Sequence, residues 1–198
     1  MNVGGPAESY LLGRTRVSMT SESTQGRAEE TVFLVPYDPG WPRRFDQERE
    51  LLERALANWI TGTIEHIGST AVPELLAKPI IDIMVGVRDL PSSMAARDAL
   101  AALDYQYFPY RPDVMHWFCK PSPAHRTHHL HLIPFQSPLW IERIAFRDFL
   151  RGSPDARREY STLKASLAER YRTDREAYTD AKGQFVCDIV GRALDPRS

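Results

Sequence analysis

The chain has 198 residues, 42% of them hydrophobic, enough for one folded domain with a substantial core. Lys and Arg number 25 against 26 Asp and Glu, and the net charge of -1 excludes the basic excess of a general nucleic-acid or membrane-surface binder. Two cysteines, Cys119 and Cys187, make neither a disulfide framework nor a zinc spacing, and no segment approaches a membrane span, so a reduced, cytoplasmic protein is expected.

Residues 1–30 are rich in Gly, Ser, Thr, Glu and Arg and lack apolar periodicity. They read as a disordered tail, with Met19 as an alternative start and residues 31–198 as a single domain. A short strand is expected over 31–35. Asp38-Pro39 then caps a helix running to about Trp59, with Phe45, Leu51, Leu52, Leu56 and Ile60 near helical spacing. Strands follow over 63–67 and 78–87, the second apolar throughout and therefore covered on both faces. Pro91-Ser92-Ser93 opens a helix to about Leu103. Strands over 105–110, 115–120 and 128–134 come next, separated by Pro-rich turns. The remainder has helical periodicity over 138–151, 154–172 and 174–194. The fold class is α/β (α+β): a mixed sheet flanked by helices, with a helical C-terminal part.

Asp82 interrupts the run Ile80-Ile81-Asp82-Ile83-Met84-Val85, and a buried carboxylate costs several kcal/mol unless it is paired or holds a cation. The preceding turn, Gly68-Ser69-Thr70, can approach a ligand closely at Gly68, and free N–H groups at a helical start favour an anion. One reading places a phosphate against Gly68, Ser69 and Thr70, a Mg²⁺ on Asp82, and Lys78 at the strand entrance. The plainer reading is an ordinary turn followed by an aspartate paired to an arginine.

Several separated motifs resemble the GrpB family. They are His66-Ile67-Gly68-Ser69-Thr70-Ala71-Val72-Pro73, Lys78-Pro79-Ile80-Ile81-Asp82-Ile83, His128-His129-Leu130-His131-Leu132 and Phe146-Arg147-Asp148-Phe149-Leu150. Tyr160 through Lys164, Ala177-Tyr178 through Lys182 and Phe185 complete a match over roughly residues 32–194. The resemblance implies a nucleotidyltransferase-like fold of the polymerase-beta type, with similar domains fused to dephospho-CoA kinase. It implies a nucleoside triphosphate, a small-molecule acceptor, and Mg²⁺ or Mn²⁺ held by carboxylates. The sequence departs from that superfamily: neither Ile80 nor Met84 supplies the second acid, and His129 and His131 stand where a third would be. Glu74 stands where GrpB-like proteins usually have glycine.

On a strand His129 and His131 share one face, opposite His128, Leu130 and Leu132. With Asp82 or His66 they could present a three-ligand site for Zn²⁺ or Fe²⁺, with His131 and Asp82 as metal ligands. Beside Arg126 they suit an anion pocket equally, with Arg111, His116 and Lys120 completing it. The match to the family extends the phosphate reading to Lys164 and Lys182, which otherwise bury their stems and leave the ammonium in water. The candidate catalytic residues are thus Asp82, His129 and His131. The candidate phosphate contacts are Gly68, Ser69, Thr70, Lys78, Arg111, Lys120, Lys164 and Lys182. The alternative functions are a nucleotide-binding module without turnover, or a His/His/Asp metal-dependent hydrolase.

Overall fold

Asp38 sets the entry to the scaffold. Its carboxylate accepts from the Gly40 amide at 2.7 Å and its carbonyl from the Trp41 amide at 3.0 Å. The structure, a computed structural model, describes residues 31–195, and the expected tail lies outside them. Helix α1 (Trp41–Ala55) follows this turn and buries Trp41, Phe45 and Leu52. It stops before Trp59 because the Leu56 carbonyl accepts from both Trp59 and Ile60, turning the chain into the sheet.

Five strands form that sheet: β1 (Ile60–Ile67), β2 (Ile81–Val87), β3 (Gln106–Phe108), β4 (His116–Pro121) and β5 (Arg126–Pro134). Their order is β1-β2-β5-β4-β3. Only β2 and β5 run parallel; the other three pairs are antiparallel. Between β2 and β3 lie the short helices α2 (Leu90–Ser93) and α3 (Ala96–Ala101). Helices α4 (Pro138–Gly152), α5 (Pro154–Arg170), α6 (Arg175–Asp180) and α7 (Gly183–Ala193) complete the chain. Ser137, Ser153 and Asp174 accept from the Trp140, Ala156 and Ala177 amides and cap three of these helices.

Alternation divides the sheet into two faces. Ile81, Ile83, Val85, Val87, Leu130, Leu132 and Phe118 meet α1 and α3 on one face. Ile67, Met84, Met115 and Ile133 meet Leu139 and Trp140 of α4 on the other. A third cluster, with Val72, Leu75, Leu150, Tyr160 and Ile189, packs the C-terminal helices beside the turn after β1. Asp82 and His129 are register partners across the parallel pair, so both point to the C-terminal helices' face, as do His131 and Trp117. No helix among the described residues is long and apolar enough to cross a membrane.

The mixed sheet, the flanking helices and the helical C-terminal part are those expected. Four details differ. The run over 31–35 is not a strand: Val35 makes one bridge to Ala77, and the Val32 amide donates to the Arg172 carbonyl. β2 begins at Ile81 rather than 78, since Pro79 has no N–H for the ladder. The helix expected to Leu103 is two short ones, and Asp89 caps the first by accepting from the Ser92 amide at 2.7 Å. The helix expected over 174–194 breaks at Lys182-Gly183, where the Lys182 amide turns back to the Thr179 carbonyl.

Phe135 lies across β1 and β2 where both strands carry glycine. A Cβ at Gly86 would meet the Phe135 ring at 2.9 Å and the Gly62 Cα at 3.3 Å, and one at Gly62 would collide with the same ring. Gly86→Ala is therefore expected to destabilise the fold by about 1–3 kcal/mol, as overpacking does. Urea unfolding measures this loss, and Phe135→Leu in the same chain should recover part of it.

Candidate functional site

The turn after β1 is shaped by Asp82. Gly68 has φ 70° and ψ -170°, and a Cβ there would collide with Asp82 Oδ2 and lie 3.0 Å from Asp82 Cβ and Cγ. Glycine meets both demands at once, a left-handed backbone and a carboxylate against its Cα. Ser69–Ala71 forms a single 3-10 turn, too short to present a helix dipole to an anion. Thr70 is buried and committed: its hydroxyl accepts from His66 Nε2 at 3.0 Å and donates to the Ile80 carbonyl at 3.2 Å. The expected phosphate contact of Thr70 is replaced by this structural one.

His66 is not beside the Asp82 carboxylate as a ligand. It points to the α1 face, stacked on Phe45 with ring centroids 4.8 Å apart. Burial, aided by Arg151 and Arg147, lowers its pKa to about 4 against the opposing pull of Asp82 and Asp46, so the ring is neutral and donates through Nε2. Three arginines fasten the same loop to α4 and α5. Arg147 bonds Glu65 at 2.6 Å and the His66 carbonyl at 3.1 Å, Arg151 the Ala71 carbonyl at 2.9 Å, and Arg157 the Glu74 carboxylate at 3.1 Å. The Phe146–Leu150 motif thus holds the turn in place. Glu74 has φ 64°, a backbone that glycine would adopt without strain, and its exposed carboxylate pairs with Arg157 rather than approaching Asp82.

Asp82 carries two imidazoles. His129 Nδ1 donates to Oδ1 at 2.9 Å, and His131 Nε2 lies 3.8 Å from the same oxygen, an electrostatic contact rather than a hydrogen bond. Burial raises the carboxyl pKa, but the imidazoles overcome it and hold Asp82 well below the usual carboxylate range. His129 Nε2 faces Arg175 Nη2 at 3.4 Å, and since arginine only donates, Nε2 keeps its lone pair. His131 is lowered to about 3 by burial and by Arg143 and His129, against the pull of Asp82. Neither of its ring nitrogens has a hydrogen-bond partner among the described residues.

Lysines surround this acid. Lys164, 1% exposed, donates to Ser69 Oγ at 3.0 Å and to the Leu76 carbonyl, with its ammonium 4.5 Å from the Tyr160 centroid. Lys182 and Lys78 bring their ammonium groups 4.2 and 4.6 Å from the Tyr178 centroid. Burial and the Lys182 charge lower Lys164 to about 7. Burial and Arg175 lower Lys182 to about 8, while Asp82 pulls the other way. Lys182 and Arg175 stand close to Asp82 and His129, with Lys78 and Lys164 packed beside them, a concentration of positive charge that suits an anion.

Not every candidate comes here. Lys120 is on the opposite face, bonded to buried Glu48 at 2.8 Å, with the Tyr105 hydroxyl on the same carboxylate at 3.1 Å and His128 at 4.0 Å. His116 on that face meets the Leu90 carbonyl at 2.8 Å through Nε2. Arg111 sits in the β3–β4 turn with φ 51°, its carbonyl accepting from Val114 and Met115. Strand alternation separates Lys120 from His129, a signal readable in the sequence once the pairing is known. Arg175 and Tyr178 were missed as site residues because nothing local links a short helix to a distant strand. The Asp174 cap marked the start of their helix, and the family motif included Tyr178 without giving it a role.

The donor set does not fit a two-metal centre. Such a centre needs several carboxylates, whereas Asp82 has no acidic neighbour at Ile80 or Met84 on its strand and its Oδ1 already accepts from His129. Among the described residues no group of three or more His, Cys, Asp and Glu side chains is placed to hold a metal ion. A His/His/Asp zinc or iron site is not assembled either, since His129 directs Nδ1 to the carboxylate.

These features define a mixed α/β domain with an acid-poor, lysine-rich site on one sheet face. The chain belongs to the GrpB family, whose model, described as GrpB protein, matches residues 31–192. A UPF0157 protein of Pseudomonas aeruginosa is 42% identical over 170 residues, covering 84% of this chain and 69% of that protein. The crystal structure of conserved protein GrpB from Enterococcus faecalis aligns with TM-score 0.76 and 31% identity, over 83% of this chain and 99% of that one. A dephospho-CoA kinase of Mycolicibacterium paratuberculosis is 29% identical over 198 residues, covering 87% of this chain and 48% of the kinase.

The lowered lysines give a test of the geometry. A base whose folded pKa lies below its unfolded value, about 10.5 for lysine, leaves the folded state short of protons between the two. Stability should therefore rise with pH from about 7 for Lys164, and the gain should be absent below that. Melting temperatures across pH 6–10 check this, and Lys164→Met should flatten the rise.

Proposed function

We propose that this protein is a nucleotidyltransferase-type enzyme. It binds the phosphates of a nucleoside triphosphate through Lys164, Lys182 and Arg175, with Ser69 and Lys78 at the rim. The Asp82–His129 dyad takes the acceptor's proton. The observation that carries this reading is the 2.9 Å bond from His129 Nδ1 to Asp82, which leaves the Nε2 lone pair facing the cationic group. A carboxylate on one nitrogen fixes the tautomer and stabilises the imidazolium that forms when the other accepts a proton.

The acceptor hydroxyl loses its proton to His129 Nε2 as its oxygen bonds to the α-phosphorus. The bond from that phosphorus to the bridging oxygen breaks, and pyrophosphate leaves with the electron pair. Arg175 is drawn from His129 onto a phosphate when the ligand binds, which clears Nε2 for the acceptor. The buried lysines answer charge on the leaving group where superfamily relatives rely on metal ions, since fixed cations in a water-poor site stabilise developing charge strongly.

Two outcomes follow. Inorganic pyrophosphate at 100 times its dissociation constant should stabilise the fold by about 2.7 kcal/mol with EDTA present, read as a raised melting temperature, and Lys182→Met should remove most of that gain. Pyrophosphate release from nucleoside triphosphate and a panel of hydroxyl acceptors should fall about 10²–10⁴-fold in Asp82→Asn and in His129→Gln. Release unchanged in both variants would reject the dyad. The single carboxylate favours a second reading, a binding module without transfer, and nucleotide binding with no release from any acceptor would select it.

A further inference from the structure

The same sheet face continues past His129 to an aromatic group that the phosphate reading does not use. Trp117 on β4 pairs in register with His131, and its ring lies 5.1 Å from that of His129. Phe108 and Tyr110 meet the indole edge-on at 5.6 and 6.4 Å, and Tyr110 is 53% exposed. The Arg126 guanidinium sits 5.5 Å from the Trp117 centroid. An indole flanked by a half-exposed tyrosine and a guanidinium is a surface on which a flat heteroaromatic ring stacks, whichever base it carries.

Its position adds a length argument. Asp82, His129 and Trp117 lie on three successive strands, β2, β5 and β4. Two inter-strand steps span roughly 10 Å, which a ribose bridges between a phosphate and its base. Lys182 feels the Asp82 charge at the β2 end of this line, Arg175 meets His129 on β5, and the indole lies on β4. We infer that Trp117, with Tyr110 and Arg126, is the base-stacking platform of the site, so that the ligand is a nucleoside phosphate rather than a simple phosphate ester. The inference rests on the phosphate reading above.

The test compares ATP, GTP, CTP and inorganic tripolyphosphate, with binding followed by calorimetry and by tryptophan fluorescence. The nucleotides should bind at least about tenfold tighter than tripolyphosphate, the size of one stacked base. They should quench emission in the wild type and not in Trp117→Phe, since Trp41 and Trp140 are buried and Trp59 packs against the core on the α1 face. Trp117→Leu should reduce the nucleotides to the affinity of tripolyphosphate without altering that of tripolyphosphate itself. Tyr110→Ala removes an exposed ring and spares the core, so it keeps the test decisive if Trp117→Leu does not fold; it should lower nucleotide affinity several-fold. Equal binding of nucleotides and tripolyphosphate by the wild type would overturn the platform and leave the phosphate site standing. Binding of neither would overturn both.

Discussion

The carboxylate of Asp82 rests against the Cα of Gly68, in the space where any other residue would carry a Cβ. That contact couples a strand to a turn, and much of the surrounding structure serves to keep it. His66 and Thr70 tie the turn to the carbonyl that precedes β2, and Lys164 ties Ser69 to the loop at Leu76. Arg147 and Arg151 reach it from α4 through the backbone carbonyls of His66 and Ala71. Burial alone would raise the pKa of this carboxyl. Two imidazoles keep it ionised, and the lysines beyond them leave the site positive.

The same arrangement explains why a family motif can be shared without its residues sharing a task. In His66–Pro73, glycine makes room, serine accepts from a lysine, and histidine and threonine brace the turn from the opposite side. Phe146–Leu150 works as a fastener, with Arg147 spending its donors on Glu65, Asp148 and a carbonyl. Asp82, Gly68, His129 and His131 meet in one place, with Ser69 and the cations beside them.

The sheet and the C-terminal helices were legible in the sequence because period-2 and period-3.6 apolar patterns report which face is buried. The shared face of His129 and His131 was legible for the same reason. The assembly across elements was not. That Asp82 would answer to His129 depends on a parallel pairing 47 residues apart, which no local pattern encodes. Lys120 was misplaced for the complementary reason: one step of strand alternation sends it to Glu48 on the far side. Lys164 and Lys182 were recoverable through the family resemblance alone, since an edge lysine and a buried one look alike in periodicity.

The lone parallel pair also has a kinetic meaning. β2 and β5 are brought together only after α2, α3 and the β3–β4 hairpin between them have been laid down, so closing that contact carries a long-range entropy cost. The β1–β2 hairpin and the β4–β5 hairpin can each form early, and each then holds half of the dyad. Lys78 travels with the first half, but Lys164, Arg175 and Lys182 arrive only with the last helices. A partly folded chain thus holds the acid apart from its imidazole, and the clustered charges come together only in the complete fold.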